Sequence, residues 1–151
     1  MKTALPNDVP RLIELMAEFY AEAGYLLNRA RAVEGFAALL ADDGLGGAWL
    51  IEAGDEDAGY VVLTKCFSME YGGTVGFVDD FFVRASHRRA GLGAKALQEL
   101  REHCAGSGIC AMFVEVGPDN AAAQRIYRGL GFTDTNRQLL VLPLATPTHL
   151  G

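Results

Sequence analysis

Residues 78–97 read Val78-Asp79-Asp80-Phe81-Phe82-Val83-Arg84-Ala85-Ser86-His87-Arg88-Arg89-Ala90-Gly91-Leu92-Gly93-Ala94-Lys95-Ala96-Leu97. The Phe- and Val-rich start suits a packed strand. Leu97, Leu100 and Cys104 then recur at helical spacing. Between them lies a short basic loop, with Gly91 and Gly93 where the helix should begin. A helix start presents unpaired backbone N–H groups and the positive end of its dipole. Glycines let an anion approach that backbone closely. Arg84, His87, Arg88 and Arg89 surround the spot in a chain of formal net charge -6. This stretch is a candidate phosphate site.

Glycine-rich turns before helices serve several ligands. The dinucleotide fingerprint G-x-G-x-x-G would put Ala96 at its third glycine, and no acidic residue is readily placed about 20 residues on. The Walker A pattern needs Gly-Lys-Ser/Thr, which the chain lacks. What remains is Arg88-x-x-Gly91-x-Gly93.

That pattern resembles the pyrophosphate-binding motif of the GNAT N-acetyltransferase superfamily, [Q/R]-x-x-G-x-[G/A]. The strand before it, Val78 to Val83, is similar to the family's hydrophobic-acid-acid-hydrophobic-aromatic-Val strand. A second block lies further on: Phe113 to Val116 as a strand, then Asn120, Ala123, Tyr127 and Gly131-Phe132. The resemblance is close over residues 75–133 and extends to element order elsewhere. It implies an α/β fold, a single GNAT-like domain over 1–151. Its mixed sheet would combine an antiparallel N-terminal meander with a central parallel pair that splays around the pantetheine arm of acetyl-CoA. It is also compatible with a homodimer.

The 151 residues, half of them hydrophobic and 21% charged, suit one folded domain. No apolar run approaches the ~20 residues that span a bilayer, so no membrane partner is expected. The N-terminus does not read as a signal peptide. Cys66, Cys104 and Cys110 form neither a C-x-x-C pair nor a zinc-spaced cluster. A reduced cytoplasmic setting without a metal is the simplest expectation. Net negative charge argues against nucleic acid as a partner.

Taken in order, residues 1–6 supply a short strand limited by Pro6. Asn7 or Asp8 caps a helix that ends at Gly24. A second helix, 31–41, buries Val33, Phe36, Ala37 and Leu40. Strands at 48–52, 59–64 and 74–83 make the meander. The helix from Gly91 to Gly106 crosses over to a parallel strand at 111–116. A fourth helix spans 120–130, Gln138 to Leu142 form a last strand, and the tail from Thr146 is poorly ordered.

Acyl transfer to an amine, which the resemblance implies, needs a base for the ammonium, donors for the oxyanion and a proton for the leaving thiolate. Tyr127 matches the family's acid; a phenol of pKa near ~10 is protonated at neutral pH. Three carboxylates compete as base. Asp79 resembles the first acid of the polyamine acetyltransferases' Glu-Asp-Phe-Phe-Val segment, but is one methylene shorter, so a water could relay the proton. Glu115 matches the base of the branch that acetylates ribosomal-protein N-termini. Asp80 falls on the opposite face from Asp79 unless a bulge intervenes, and is also a substrate contact. Each acid could instead be a solvated or ion-paired strand residue.

The resemblance assigns the oxyanion to the backbone of Phe81, Phe82 and Val83. It assigns coenzyme contacts to Arg88, Arg89, Ala90, Gly91, Leu92, Gly93, Ala94 and Asn120, the last also a helix cap. Tyr25 and Leu26, in the first helix-to-helix connector, match a segment that often lies over the acceptor; local packing explains them equally well. Asp42, Asp43, Glu52, Asp55, Glu56, Asp57, Glu70, Asp79 and Asp80 crowd the first half. If several ring the cleft, they favour a cationic acceptor such as a polyamine or a lysine side chain. Three readings compete: an acetyl-CoA-dependent N-acetyltransferase, a non-catalytic acyl-CoA-binding module of the same fold, and an enzyme that uses another phosphate-bearing ligand at the same helix start.

Overall fold

The structure, a computed structural model, describes residues 1–145. The expected disordered tail at 146–151 lies outside them. Strand β1 is only Lys2–Thr3. Pro6 opens a 3₁₀ turn, Pro6–Asp8, which runs into helix α1, Val9–Ala23. Asp8 sits at the junction and accepts from the Leu5 N–H at 2.9 Å. That bond, with Arg11 and Lys2 beside it, holds its carboxyl below the usual aspartate range despite burial. Gly24, at φ 76°, ends α1 in the left-handed conformation that glycine adopts without strain.

Helix α2, Arg29–Ala41, starts two residues before its expected position, because Asn28 caps it by accepting from the Arg31 N–H at 3.2 Å. Its buried face is Ala32 and Phe36, with Leu39 and Leu40 packed alongside. Val33 and Ala37, expected inside, are exposed.

Strands β2 (Gly46–Ala53), β3 (Glu56–Ser68) and β4 (Gly73–Val83) form the antiparallel meander, longer than expected at both hairpins. Helix α3, Leu92–Gly106, crosses to the short strand β5, Met112–Val114, which is parallel to β4. Helix α4, Ala121–Gly129, completes the helices. Sheet order is β1-β2-β3-β4-β5.

Alternation along β3 divides the core. Tyr60 and Val62 join Leu12, Met16, Phe36, Leu50 and Phe82 beneath α1 and α2. Val61 and Leu63 join Trp49, Val78, Leu97, Leu100 and Tyr127 beneath α3 and α4. Each face is apolar enough to bury its helices, which is what holds the layers together.

The strand expected at 138–142 does not form. The run is β-prone, but a strand also needs a neighbour, and none of the described residues pairs with it. Among the described residues, no helix is long and apolar enough to cross a membrane.

Candidate active site

Strand β4 carries the decisive irregularity. Val62 pairs with Asp80 and Leu63 with Val78, so Asp79 is a bulge with no partner on β3. A bulge bends its strand and resets the facing of the residues after it. Val78 consequently faces α3 and α4, while Phe82 faces α1 and α2. The β4–β5 ladder ends at the same place: its last pair is Val78 with Val114. Beyond it the strands part around a cavity of about 140 Å³. Phe19, Asp79, Phe81, Glu115, Asn120 and Tyr127 are among the residues lining it.

The parity of the free β4 edge is set by one bond. The Arg84 N–H reaches the Ala58 carbonyl at 2.7 Å, toward β3. By alternation, the N–H groups of Phe81 and Val83 point the other way, into the gap, and that of Phe82 does not. The Phe82 side chain is turned from the gap too, stacking on Phe19 with centroids 5.6 Å apart.

The loop after β4 includes two residues of positive φ, Arg89 at 65° and Gly91 at 77°. Gly91 is the N-cap of α3. The Lys95 N–H bonds back to the Gly91 carbonyl at 3.0 Å. The N–H groups of Arg89 to Ala94 find no acceptor among the described residues. Six amides thus gather at the positive end of a 15-residue helix. Gly93 is closely packed: a Cβ there would lie 3.0 Å from Phe81 Cζ and 3.5 Å from Val83 Cγ2.

The side chains of the basic cluster are arranged differently from the sequence expectation. Arg84 pairs with Glu18 at 2.7 Å and His87 with Glu56 at 3.2 Å. Arg88 donates to Glu22 at 2.6 Å and to the Val83 carbonyl at 2.7 Å, with its guanidinium 5.7 Å from the Phe82 ring centroid. Of the four, Arg89 alone has no ion pair among the described residues. Backbone amides, with Arg89, are what this loop offers an anion.

Tyr127 is placed by α4, which Asn120 caps by accepting from the Ala123 N–H at 3.1 Å. Its ring packs against Phe81 and Phe132, with centroids 6.1 and 5.6 Å away. Burial pushes its hydroxyl up to about 12, so it keeps its proton at every physiological pH. No hydrogen bond ties that hydroxyl to another described residue.

Asp79 and Glu115 face the cavity from β4 and from just beyond β5. Asp79 is exposed as a residue, yet the surrounding protein still raises its carboxyl above the ordinary value. Asp80 does not line the cavity. It accepts from the Tyr60 hydroxyl at 2.9 Å, on the α1/α2 side. Burial pushes it up to about 6, opposed by the Tyr60 bond and reinforced by the Asp79 charge. The folded chain therefore holds a proton that the unfolded chain has released between pH 3.8 and about 6. Stability falls as pH rises through that window and stays lower above it. Asp80→Asn should raise stability at pH 7 by about 1–2 kcal/mol and flatten the dependence between pH 4 and 6. Urea melts across pH check this; an unchanged slope would show that Asp80 titrates alike in the folded and unfolded chains, so that burial does not raise it.

Tyr25 and Leu26, on the α1–α2 connector, are exposed and do not line the cavity; Tyr25 packs edge-on to Tyr20 at 6.0 Å. Phe19 does line it, though the sequence marked Phe19 only as part of an apolar helix face. No sequence signal separates it from its neighbours on that stripe. Of the nine acids that crowd the first half, Glu52 and Asp57 pair with Arg11, Glu70 with Arg137 and Glu56 with His87. Asp79 and Glu115 are the acids on the cavity wall.

A model of the Acetyltransferase (GNAT) family matches residues 10–132. No curated protein matches the chain in sequence. Among solved structures, an integron cassette protein from the mobile metagenome of Cole Harbour Salt Marsh is 48% identical. That alignment covers 98% of this chain and 92% of the other, with a TM-score of 0.90. A predicted acetyltransferase with acetyl-CoA from Clostridium acetobutylicum has the same fold at 16% identity, with coverages of 93% and 94% and a TM-score of 0.80. So does the ribosomal-protein-alanine N-acetyltransferase of Brucella melitensis biovar Abortus 2308, at 16% identity, coverages of 93% and 96%, and a TM-score of 0.73.

Proposed function

The chain belongs to the GNAT acetyltransferase family, and on that premise we propose that it moves an acetyl group from acetyl-CoA to a primary amine that attacks the thioester directly. The observation that carries the reading is a coincidence of place. The unpaired amides at the start of α3 and the gap between β4 and β5 adjoin, and that gap holds a protonated phenol and two carboxylates.

When bound, acetyl-CoA supplies an acetyl group activated as a thioester. The amides of Arg89 to Ala94, with Arg89 itself, would hold its diphosphate. The N–H groups of Phe81 and Val83 would donate to the carbonyl oxygen as negative charge develops there. Asp79 takes the proton from the acceptor's ammonium, directly or through a water. Tyr127 holds the proton that the departing sulfur needs. Two carboxylates lining one cavity also favour a cationic acceptor, a polyamine-like amine or a lysine side chain, over a neutral one.

The test is purified protein with acetyl-CoA and an amine panel, read by free-thiol release. Cys66 and Cys110 are exposed and set a fixed background. Thermal stabilisation by coenzyme A without thiol release from any amine would favour a binding module instead. Asp79→Asn should lower kcat/KM about tenfold at neutral pH and remove the acidic limb of the profile, since the base acts only when ionised. An unaltered limb would pass the role to Glu115 or to water.

A further inference from the structure

We propose that Phe19 is a specificity-determining residue that restricts the acyl group carried by the coenzyme to short chains. The inference rests on the reading of the β4–β5 gap as the thioester site. Tyr127 and Phe19 approach that gap from opposite faces of the sheet. Tyr127 belongs to the core beneath α3 and α4, Phe19 packs against the core beneath α1 and α2, and both line the same cavity. Among the described residues on its wall, Phe19 alone comes from α1 or α2. With the sulfur beside Tyr127, an acyl chain that lengthens away from it runs toward the Phe19 ring.

That ring is held in place. Phe82 stacks on it with centroids 5.6 Å apart and an interplanar angle of 26°. Tyr20 and Tyr60 meet it edge-on, at 5.7 and 6.5 Å. Tyr60 is itself fully buried and donates to Asp80 at 2.9 Å. The helix behind the ring is fixed as well. Glu18 accepts from Arg84 at 2.7 Å and Glu22 from Arg88 at 2.6 Å. These two ion pairs, one helical turn apart, tie α1 to the loop after β4 on either side of Phe19. Closely packed rings admit an added methylene only by straining their neighbours.

Space is short on the other sides. The cavity holds about 140 Å³, and the thioester and the attacking nitrogen must share it. Val78, Phe81 and Val114 close its flanks. Asp79 and Glu115 are exposed, so the acceptor can enter past the carboxylates without displacing Phe19. A passage open at α1 would instead reward each added methylene by burying it.

Isothermal titration with coenzyme A, acetyl-CoA and butyryl-CoA, in the absence of an acceptor, reads the chain-length preference directly. The wild type should bind butyryl-CoA about tenfold or more weaker than acetyl-CoA. In Phe19→Ala the two should come within about twofold of each other, because the vacated space takes the added methylenes. A wild type that binds both alike, or a folded variant that keeps the wild-type ratio, overturns the proposal. If Phe19→Ala loses its far-UV signature, Phe19→Leu takes its place and should narrow the ratio to about threefold. Failure of all three ligands to bind the wild type would bring down the coenzyme reading itself. Coenzyme A that binds without the chain-length preference brings down only this inference.

Discussion

Gly91→Glu is expected to weaken coenzyme A binding about 100-fold or more. Gly91 caps α3 at φ 77°, and a Cβ built there meets nothing within 4 Å. A side chain at this position therefore points into open space beside the free amides. A carboxylate about 5 Å from a phosphate charge costs roughly 3 kcal/mol at an effective dielectric near 20. That corresponds to about a hundredfold in affinity. The left-handed conformation adds about 1 kcal/mol of strain for any residue with a Cβ. Gly91→Ala carries the strain without the charge and should lose no more than about tenfold. Isothermal titration with coenzyme A separates the two. Equal losses in both variants, or none in either, would remove the diphosphate from this turn.

Tyr127→Phe is expected to reduce turnover about 10²-fold, a usual size for a lost general acid, while coenzyme affinity stays within about twofold. The substitution keeps the ring that packs on Phe81 and Phe132 and deletes only the hydroxyl. With no protein hydrogen bond lost, stability should move by less than about 1 kcal/mol. A purely structural tyrosine would give the reverse pattern: a fall in melting temperature with kcat preserved. Because the hydroxyl stays protonated to about pH 12, the wild type should show no loss of rate from this group up to pH 9.

The elements with strong local signals were legible in the chain itself. Helix α1 carries both an apolar stripe and a terminating glycine, and it lies where that pattern puts it. The same holds for α3, whose buried Leu97, Leu100 and Cys104 keep its spacing. Helix α2 shows how narrow the margin is. A cap at Asn28 moves its start by two residues, and packing against the core buries Ala32 and Phe36 while Val33 and Ala37 stay in solvent. The parallel β4–β5 pairing was also legible, because a crossover helix leaves few alternatives.

Sequence alone determined the family resemblance, the two motif blocks and the glycines at the start of α3, since these depend on residues close together along the chain. Tertiary structure decided the rest. It bulged Asp79 toward the cavity and left Asp80 bonded to Tyr60, a choice set by pairing with β3. It drew Arg84, His87 and Arg88 away to acids on α1 and β3, and brought Phe19 to the cavity. It also left Leu139–Leu142 without a sheet to join. In each case the outcome depends on which distant group arrives as a partner, because a charge or a strand edge is satisfied by what lies across space from it.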